Sequence, residues 1–282
     1  PAGNVAAVAI EKGIPSMVAF FGVDTAEKLV GDGVKADLLL GNNVLAHVPD
    51  IKDFVAGMKI ILADAGTITM EFPHLLKLIM FNQFDTIYHE HFSYFSLHTV
   101  RDIFAAHGLT VFDIDEISTH GGSLRIYAQH TERKPTQCKL MTKVLQHEKD
   151  AGLCRIETYT QFQKNVQKTK RALLSFLIDA KNNGQTIVGY GAAAKGNTLL
   201  NYCGIRNDFI DYVVDKNPHK QGRFLPGTHI PIHTPEKISE TKPHYVLILP
   251  WNIQEEVISQ MSMVRSWGGQ FVVPIPEVKV LA

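Results

Sequence analysis

Cysteine is scarce in this chain and spaced too widely to build with. The 282 residues hold three, Cys138, Cys154 and Cys203. An odd number without a C-x-x-C unit argues against a disulfide framework and against a structural zinc site within this stretch, and no metal ligand set is assigned. Free thiols suit a reducing compartment, so a cytoplasmic protein is expected. Cys203 follows a glycine-rich turn and reads as a buried thiol, the alternative being a reactive one. Net charge is missing too: 28 Lys and Arg balance 28 Asp and Glu. That leaves no field to gather a nucleic acid polymer, although a local basic group can still hold a phosphate. No apolar run reaches bilayer length, and the first residues have neither the basic start nor the apolar stretch of a signal peptide, so no membrane partner is expected. The chain opens without Met inside what reads as a helix, as a fragment or a processed chain would.

What is present is enough apolar material, 45% of residues, for one large core or two ordinary ones. A short helix over Asn4 to Lys12 leads into an apolar stretch, Ile14 to Phe21, that reads as a strand. Ala26 to Val30 reads as helix, and Ala36 to Gly41, with three leucines in a row, as a buried parallel strand. Ile51 to Met58 is helical, and Thr67 to Phe72 is a further strand. A helix over Thr99 to His107 stops at Gly108, and the strands Leu109 to Ile114 and Ser123 to His130 form an antiparallel pair joined through His120-Gly121-Gly122. Residues 131–182 are polar and mainly helical and read as a connector. A second α/β unit starts near residue 183, with short buried strands at Ile187, Ile210 to Val214, Tyr245 to Leu249 and Gln270 to Val273. The fold class is α/β: a partial Rossmann-like domain over residues 1–130 and a second Rossmann-like domain over 183–282.

In the second unit, Gly189, Gly191 and Gly196 sit where strand becomes helix, a place where glycine permits close backbone approach and helix amides hold an anion. The spacing G-x-G-x-x-x-x-G is one residue longer than the dinucleotide fingerprint, and Lys195-Gly196-Asn197 does not complete a nucleoside triphosphate loop. Asp215 follows the next strand, where a ribose-binding acid often lies. A dinucleotide site, another phosphate-bearing ligand held with help from Lys195, and a purely structural turn all remain open on these residues.

The densest chemistry lies in Phe84-Asp85-Thr86-Ile87-Tyr88-His89-Glu90-His91-Phe92-Ser93-Tyr94-Phe95-Ser96. So many titratable groups need partners if they are buried. H-E-H lacks the i,i+4 histidines of a zinc-binding helix. A base with an orienting carboxylate suits it better, His91 being the base, against a hydrogen-bonded structural histidine. Tyr88 and His91 share a face in a helical turn but oppose one another in an extended segment. Asn42, Asn43 and His47 follow the Leu-rich strand, at the kind of strand end where open α/β sheets collect ligands. Arg125 falls on the more polar face of its strand, to bind phosphate or to form an ion pair.

These stretches resemble the sugar C-methyltransferase family, particularly enzymes that methylate C-3 of nucleotide-linked 4-keto deoxysugars. The resemblance rests on A-D-L-L-L-G-N-N-V-L-A-H-V-P-D (Ala36 to Asp50), the Phe84 to Ser96 segment, H-G-G-S-L-R (His120 to Arg125), G-Y-G-A-A-A-K-G-N-T-L-L-N (Gly189 to Asn201) and W-G-G-Q-F-V-V-P-I-P-E from Trp267. It implies transfer of a methyl group from S-adenosylmethionine to a nucleotide diphosphate keto-sugar. His91 is then the base that removes the proton beside the ketone, Tyr88 lies at the reacting carbon or the enolate oxygen, Glu90 tunes the cluster and His47 assists. Asn42, Asn43 and His47 are expected at the cofactor, and Arg125, Gly191, Lys195 and Asn197 at the nucleotide sugar. His89 receives no role. Family members also carry an N-terminal zinc module and an early glycine-rich cofactor loop that this sequence does not contain, so zinc is expected only in that module. The competing readings are an NAD-dependent keto-sugar oxidoreductase and a sugar-nucleotide-binding fragment without turnover. Sugar, base and oligomeric state are not fixed by these residues.

Overall fold

A computed structural model of the chain describes residues 2–134 and 136–281. Pro1, Pro135 and Ala282, which fall within the three expected domain spans, lie outside the described residues. The first half runs α1 (Gly3–Glu11), α2 (Val23–Gly31), β1 (Ala36–Asn42), α3 (Ile51–Ile61), β2 (Leu62–Pro73), α4 (Leu75–Met80), α5 (Leu97–Ala106), β3 (Leu109–Ile117) and β4 (Ser123–His130). Then come α6 (Lys139–Asp150), α7 (Ile156–Asn182), β5 (Ile187–Tyr190), α8 (Ala194–Cys203), β6 (Val213–Val214) and β7 (Ile232–His233). The chain closes with α9 (Glu236–Thr241), β8 (Tyr245–Ile248), α10 (Gln254–Gln260), β9 (Gln270–Val273) and β10 (Lys279–Leu281). Among the described residues, no helix is long and apolar enough to cross a membrane.

The chain divides into two compact units. Unit 1 comprises Pro1–His74, Phe92–Ile117 and Ser123–Asp150, and unit 2 comprises Leu75–His91, Ser118–Gly122 and Ala151–Ala282. The expected connector is therefore split. Met141 and Val144 of α6 lie in the core of unit 1, whereas Val166, Leu173, Leu177 and Ala180 of α7 lie in the core of unit 2. An inward stripe at helical spacing is enough to seat each helix, however polar its other faces.

Unit 1 is built on a four-stranded sheet in the order β1-β2-β4-β3, with β1 parallel to β2 and the other pairs antiparallel. Alternation along β4 buries Leu124, Ile126 and Ala128 against Phe72, Phe104 and Leu109, as period-two patterning requires. Two sequence expectations are corrected here. The Leu-rich segment does pair in parallel, but β1 is an edge strand, and Leu38 and Leu40 are 54% and 69% exposed. Ile14 to Phe21 is no strand: Ile14, Met17, Val18 and Phe20 are exposed, and only Phe21 turns inward, edge-on to Phe54 at 5.3 Å. A strand exists through the ladder it shares with a neighbour, and β propensity alone does not supply one.

One buried acid organises this unit. Glu148, on the inward face of α6, is 3% exposed. Its Oε1 accepts from the amide of Leu97 at 2.6 Å and lies 2.7 Å from Nε2 of His74, and its Oε2 accepts from the amide of His98 at 3.0 Å. The carboxylate thus caps the first turn of α5, where amides are unsatisfied and negative charge is favoured, while Ser96 caps Thr99. An isolated bridge pairs His74 with Phe95. The chain leaves unit 1 after His74 and returns at Phe92, so Glu148 clasps the two ends of the excursion that carries the Tyr-His-Glu-His segment.

Unit 2 carries a six-stranded sheet in the order β10-β9-β8-β5-β6-β7, parallel except for β10. Its strands are short, and the expected strand over Ile210 to Val214 narrows to Val213–Val214, while β10 adds an antiparallel edge that the sequence pattern did not indicate. From β5 the chain winds one way to β6 and β7, then returns on the other side through β8 and β9. The switch point of the sheet lies between β5 and β8, beyond whose carboxyl ends such folds bind ligands.

Removing Glu148 leaves two helix amides and a buried imidazole without their acceptor. Glu148→Ala is expected to lower the unfolding free energy by about 3–5 kcal/mol in urea titrations, the cost typical of breaking a buried charged group's contacts; a loss below about 1 kcal/mol would assign the clasp no structural weight.

Candidate functional site

The glycine turn after β5 stands at this switch point. Gly191 has φ +93°, and a Cβ there would meet Pro250 Cδ at 2.6 Å, so the turn and the segment after β8 are in direct contact because residue 191 has no side chain. The Asp215 carboxylate is turned to the same turn: Oδ2 accepts from the amide of Ala192 at 2.8 Å and from Lys220 Nζ at 3.2 Å, and Oδ1 accepts from the amide of Asn217 at 2.8 Å. An acid so engaged secures the loop's own backbone.

Lys195, in the first turn of α8, lies across the crevice. Its ammonium sits 4.7 Å from the centroid of the Trp251 ring and donates to Asn252 Oδ1 at 3.0 Å and to the His120 carbonyl at 3.4 Å. Burial lowers its pKa, opposed by the nearby charge of Asp85. Asp85 itself is fully buried in the short helical turn Phe84–Thr86, and its Oδ2 accepts the indole N–H of Trp251 at 2.7 Å. Desolvation pushes its carboxyl up to about 6, against the pull of Trp251 and Lys195. Beside this cluster, a cavity of about 480 Å³ is lined by Gly121, Trp251, Asn252, Gln254, Glu255 and Glu256. Asn197 lies one turn along α8, with its backbone and side-chain oxygens accepting from Asn201 at 2.8 and 3.3 Å.

Two residues beyond that turn the chain reverses. The amide of His91 donates to the Tyr88 carbonyl at 3.1 Å, which closes a turn over Tyr88-His89-Glu90-His91. The turn resolves the face question: the Tyr88 and His91 rings lie on one side, 4.4 Å between centroids and inclined by 37°. Tyr88 and His91 are half-buried, whereas His89 and Glu90 are exposed. Burial, then Glu90 and Asp85, raise the pKa of the Tyr88 hydroxyl, so it keeps its proton at neutral pH and is able to donate.

The remaining expected residues belong to unit 1. His47 ends the short helical turn Leu45–His47 and is half-buried. The Ala46 carbonyl before it accepts from the amide of Phe92, the residue after His91, at 2.8 Å. Asn43 adopts φ +54°, turning the chain out of β1. Arg125, paired with Glu71 across β2 and β4, donates to its carboxylate at 2.9 Å; of the two roles open for it, the ion pair is formed. Cys203 is buried and its thiol is pushed up to about 11, which makes it inert.

Comparison with known proteins decides what these parts belong to. The family model described as the C-methyltransferase C-terminal domain matches residues 118–276, and that of a methyltransferase domain matches residues 6–114. The C-methyltransferase NovU of Streptomyces niveus is 36% identical over 282 residues, all of this chain and 67% of its own length. The chain belongs to the C-methyltransferase family. Solved structures align only loosely. Magnesium protoporphyrin IX methyltransferase (ChlM) from Synechocystis PCC 6803 with bound SAH is 14% identical over 34% of this chain and 45% of its own, with a TM-score of 0.28. LaPhzM is 13% identical over 45% and 46%, with a TM-score of 0.27. This chain spans about half the length of those structures, and likeness at that level carries no weight for its chemistry.

As a C-methyltransferase it uses S-adenosylmethionine, and unit 1 has a place that fits an adenosyl group. At the end of β1, a cavity of about 430 Å³ is lined by Phe21, Leu40, Gly41, Asn42, Phe54 and Met70, among others. Apolar walls with a single amide at the rim suit a flat heterocycle. The Met70 thioether and the Val44 methyl close over Gly41, so that a Cβ there would require them to shift. Of the three residues expected at the cofactor, Asn42 lines this cavity, while Asn43 and His47 are not among its walls.

Asp85 and Trp251 went unrecognised in the sequence. A lone acid between Phe84 and Thr86-Ile87, and one of only two tryptophans at a strand end, are the signals that point to them. With its carboxyl at about 6 folded and 3.8 unfolded, Asp85 holds a proton in the native state that the unfolded chain has released, so stability falls as pH rises from about 4 to 6. Asp85→Asn removes this dependence. Its unfolding free energy relative to the parent is expected to be more favourable at pH 7 than at pH 4 by about 2 kcal/mol, and a pH-independent difference would contradict the assignment.

Proposed function

We propose that this C-methyltransferase, a cytoplasmic enzyme of deoxysugar biosynthesis, methylates a nucleotide-linked 4-keto deoxysugar through an enolate, with His91 as the base. The observation that carries the reading is the Tyr88–His91 turn, which brings the two rings to 4.4 Å between centroids, inclined by 37°. A saturated sugar carbon is a poor nucleophile, but a neighbouring ketone makes its hydrogen acidic. His91 takes that proton, and the Tyr88 hydroxyl, kept protonated by burial and two acids, donates to the oxygen on which charge develops. Glu90 favours the imidazolium that results, and His47 assists from the loop after β1. Lys195, Gly191 and Asn197 hold the nucleotide diphosphate at the crevice, with the first turn of α8 offering amides to anionic oxygens. S-adenosylmethionine, when bound, supplies an electrophilic methyl group, and Asn42 with the apolar walls around Gly41 would hold its adenosyl part.

The test uses the intact enzyme, isotopically methyl-labelled S-adenosylmethionine and a panel of nucleotide-linked keto sugars, with methyl transfer and exchange of the proton beside the ketone followed separately. His91→Ala is expected to slow both by about 10²–10⁴-fold. Tyr88→Phe, which keeps the stacked ring and removes the donor, is expected to slow both by about 10²-fold. Exchange at the parental rate in His91→Ala would remove His91 from the role of base. Labelled product from a non-keto sugar alone would overturn the substrate class.

A further inference from the structure

We propose that Asp85 is a positioning residue for this reaction: through Trp251 it docks the Tyr88–His91 turn on the switch-point crevice, and its charge governs Tyr88 and Lys195. The kinetic part of the proposal rests on the function proposed above; the linkage itself does not.

The turn Phe84–Thr86 is an anchor fixed from several directions. Phe84 is buried in the core of unit 2 and packs against the Tyr202 ring at 5.4 Å. Thr86 Oγ1 donates to the Gln83 carbonyl at 2.7 Å, and Gln83 Nε2 donates to the Gly121 carbonyl at 2.7 Å. Gly121, at φ +92°, leaves space that a Cβ would take from the Trp251 ring, 2.6 Å away. For anchoring alone, an apolar side chain at position 85 would serve at lower desolvation cost. A carboxylate stands there instead, fully buried, with Oδ2 on the indole N–H and Oδ1 without a hydrogen-bond partner. A buried acid whose second oxygen lacks a partner is costly to ionise, and its charge is weakly screened.

The groups it acts on are those that face it. Lys195 comes from α8, with its ammonium on the Trp251 ring that Asp85 also holds by the edge. Tyr88 follows in the turn and feels Asp85 after burial and Glu90. The segment Trp251–Ile253 brings no titratable group, and α4 brings Lys77, whose stem lies against Gly122. Ionised Asp85 opposes loss of the Tyr88 proton and draws Lys195 to the indole, and protonated Asp85 releases both. Burial sets the carboxyl at about 6, within reach of cellular pH.

Two tryptophans occur in the chain, so Trp267→Phe leaves Trp251 as the sole indole reporter. In that background, indole fluorescence of the full chain is expected to titrate with a midpoint at about 6, and Asp85→Asn is expected to abolish the transition. In the intact enzyme, Asp85→Asn should lower kcat for proton exchange from the keto sugar by about 10- to 100-fold, with any rise in KM through Lys195 smaller than that fall, the pattern of misplacement rather than lost binding. Trp251→Phe, which keeps a ring and removes the N–H, should give the same loss, and the double variant no further loss. A fluorescence transition that survives in Asp85→Asn overturns the linkage, and parental exchange rates in folded Asp85→Asn and Trp251→Phe overturn the positioning role. A parent enzyme that exchanges no proton from any keto sugar would instead sink the substrate reading, while the titration, which needs no substrate, still decides the linkage.

Discussion

Both oxygens of Glu148 are spent on the neck of one excursion: the side chain of His74, just past the outgoing strand, and the amides of Leu97 and His98 on the returning helix. A carboxylate 3% exposed has no solvent to fall back on, so its donors are fixed in place with it. The segment between the stems, Leu75 to His91, is counted with unit 2. What would otherwise be a seventeen-residue detour from an α/β sheet therefore leaves and re-enters at a defined point. Every chemical feature proposed for the Tyr88–His91 turn presupposes that constraint.

At the far end of the excursion a second buried acid performs the corresponding task. Asp85 meets Trp251 beyond the end of β8, opposite the glycine turn beyond β5, and the crevice between those strand ends becomes a place where a lysine, an indole and two amide-bearing residues converge. The two acids differ in what they meet. Glu148 finds three donors. Asp85 finds one firm donor, a cation at a distance and a bare oxygen, so desolvation raises its carboxyl into the range where protonation matters. Satisfied polar groups fix a fold, and incompletely satisfied ones are where chemistry is tuned.

Much of this was legible along the chain. The antiparallel pair around His120-Gly121-Gly122, the glycine turn after Ile187-Val188, and the helix ending at Gly108 follow from local patterning, because turns, caps and strand alternation are decided by residues a few positions apart. The Leu-rich strand misled for the opposite reason: three leucines predict burial on both faces, but burial depends on what lies alongside, and β1 has a neighbour on one side only among the described residues. The polar connector misled similarly. Its hydrophobic positions were sparse, and sparse inward stripes still seat a helix once a core is there to receive them.

The sequence by itself determined the α/β class, the place of the glycine turn and the family to which the chain belongs, and it singled out Tyr88, Glu90 and His91 as candidates, since each is carried by contiguous residues. Tertiary structure alone decided that Tyr88 and His91 share one side of a turn, that Asp215 secures its own loop, and that Asp85 meets Trp251 across 166 positions of chain. The physical reason is that desolvation and hydrogen bonding act through space: what a carboxyl or a hydroxyl does is fixed by the groups that surround it, and for these residues the deciding neighbours come from distant parts of the sequence.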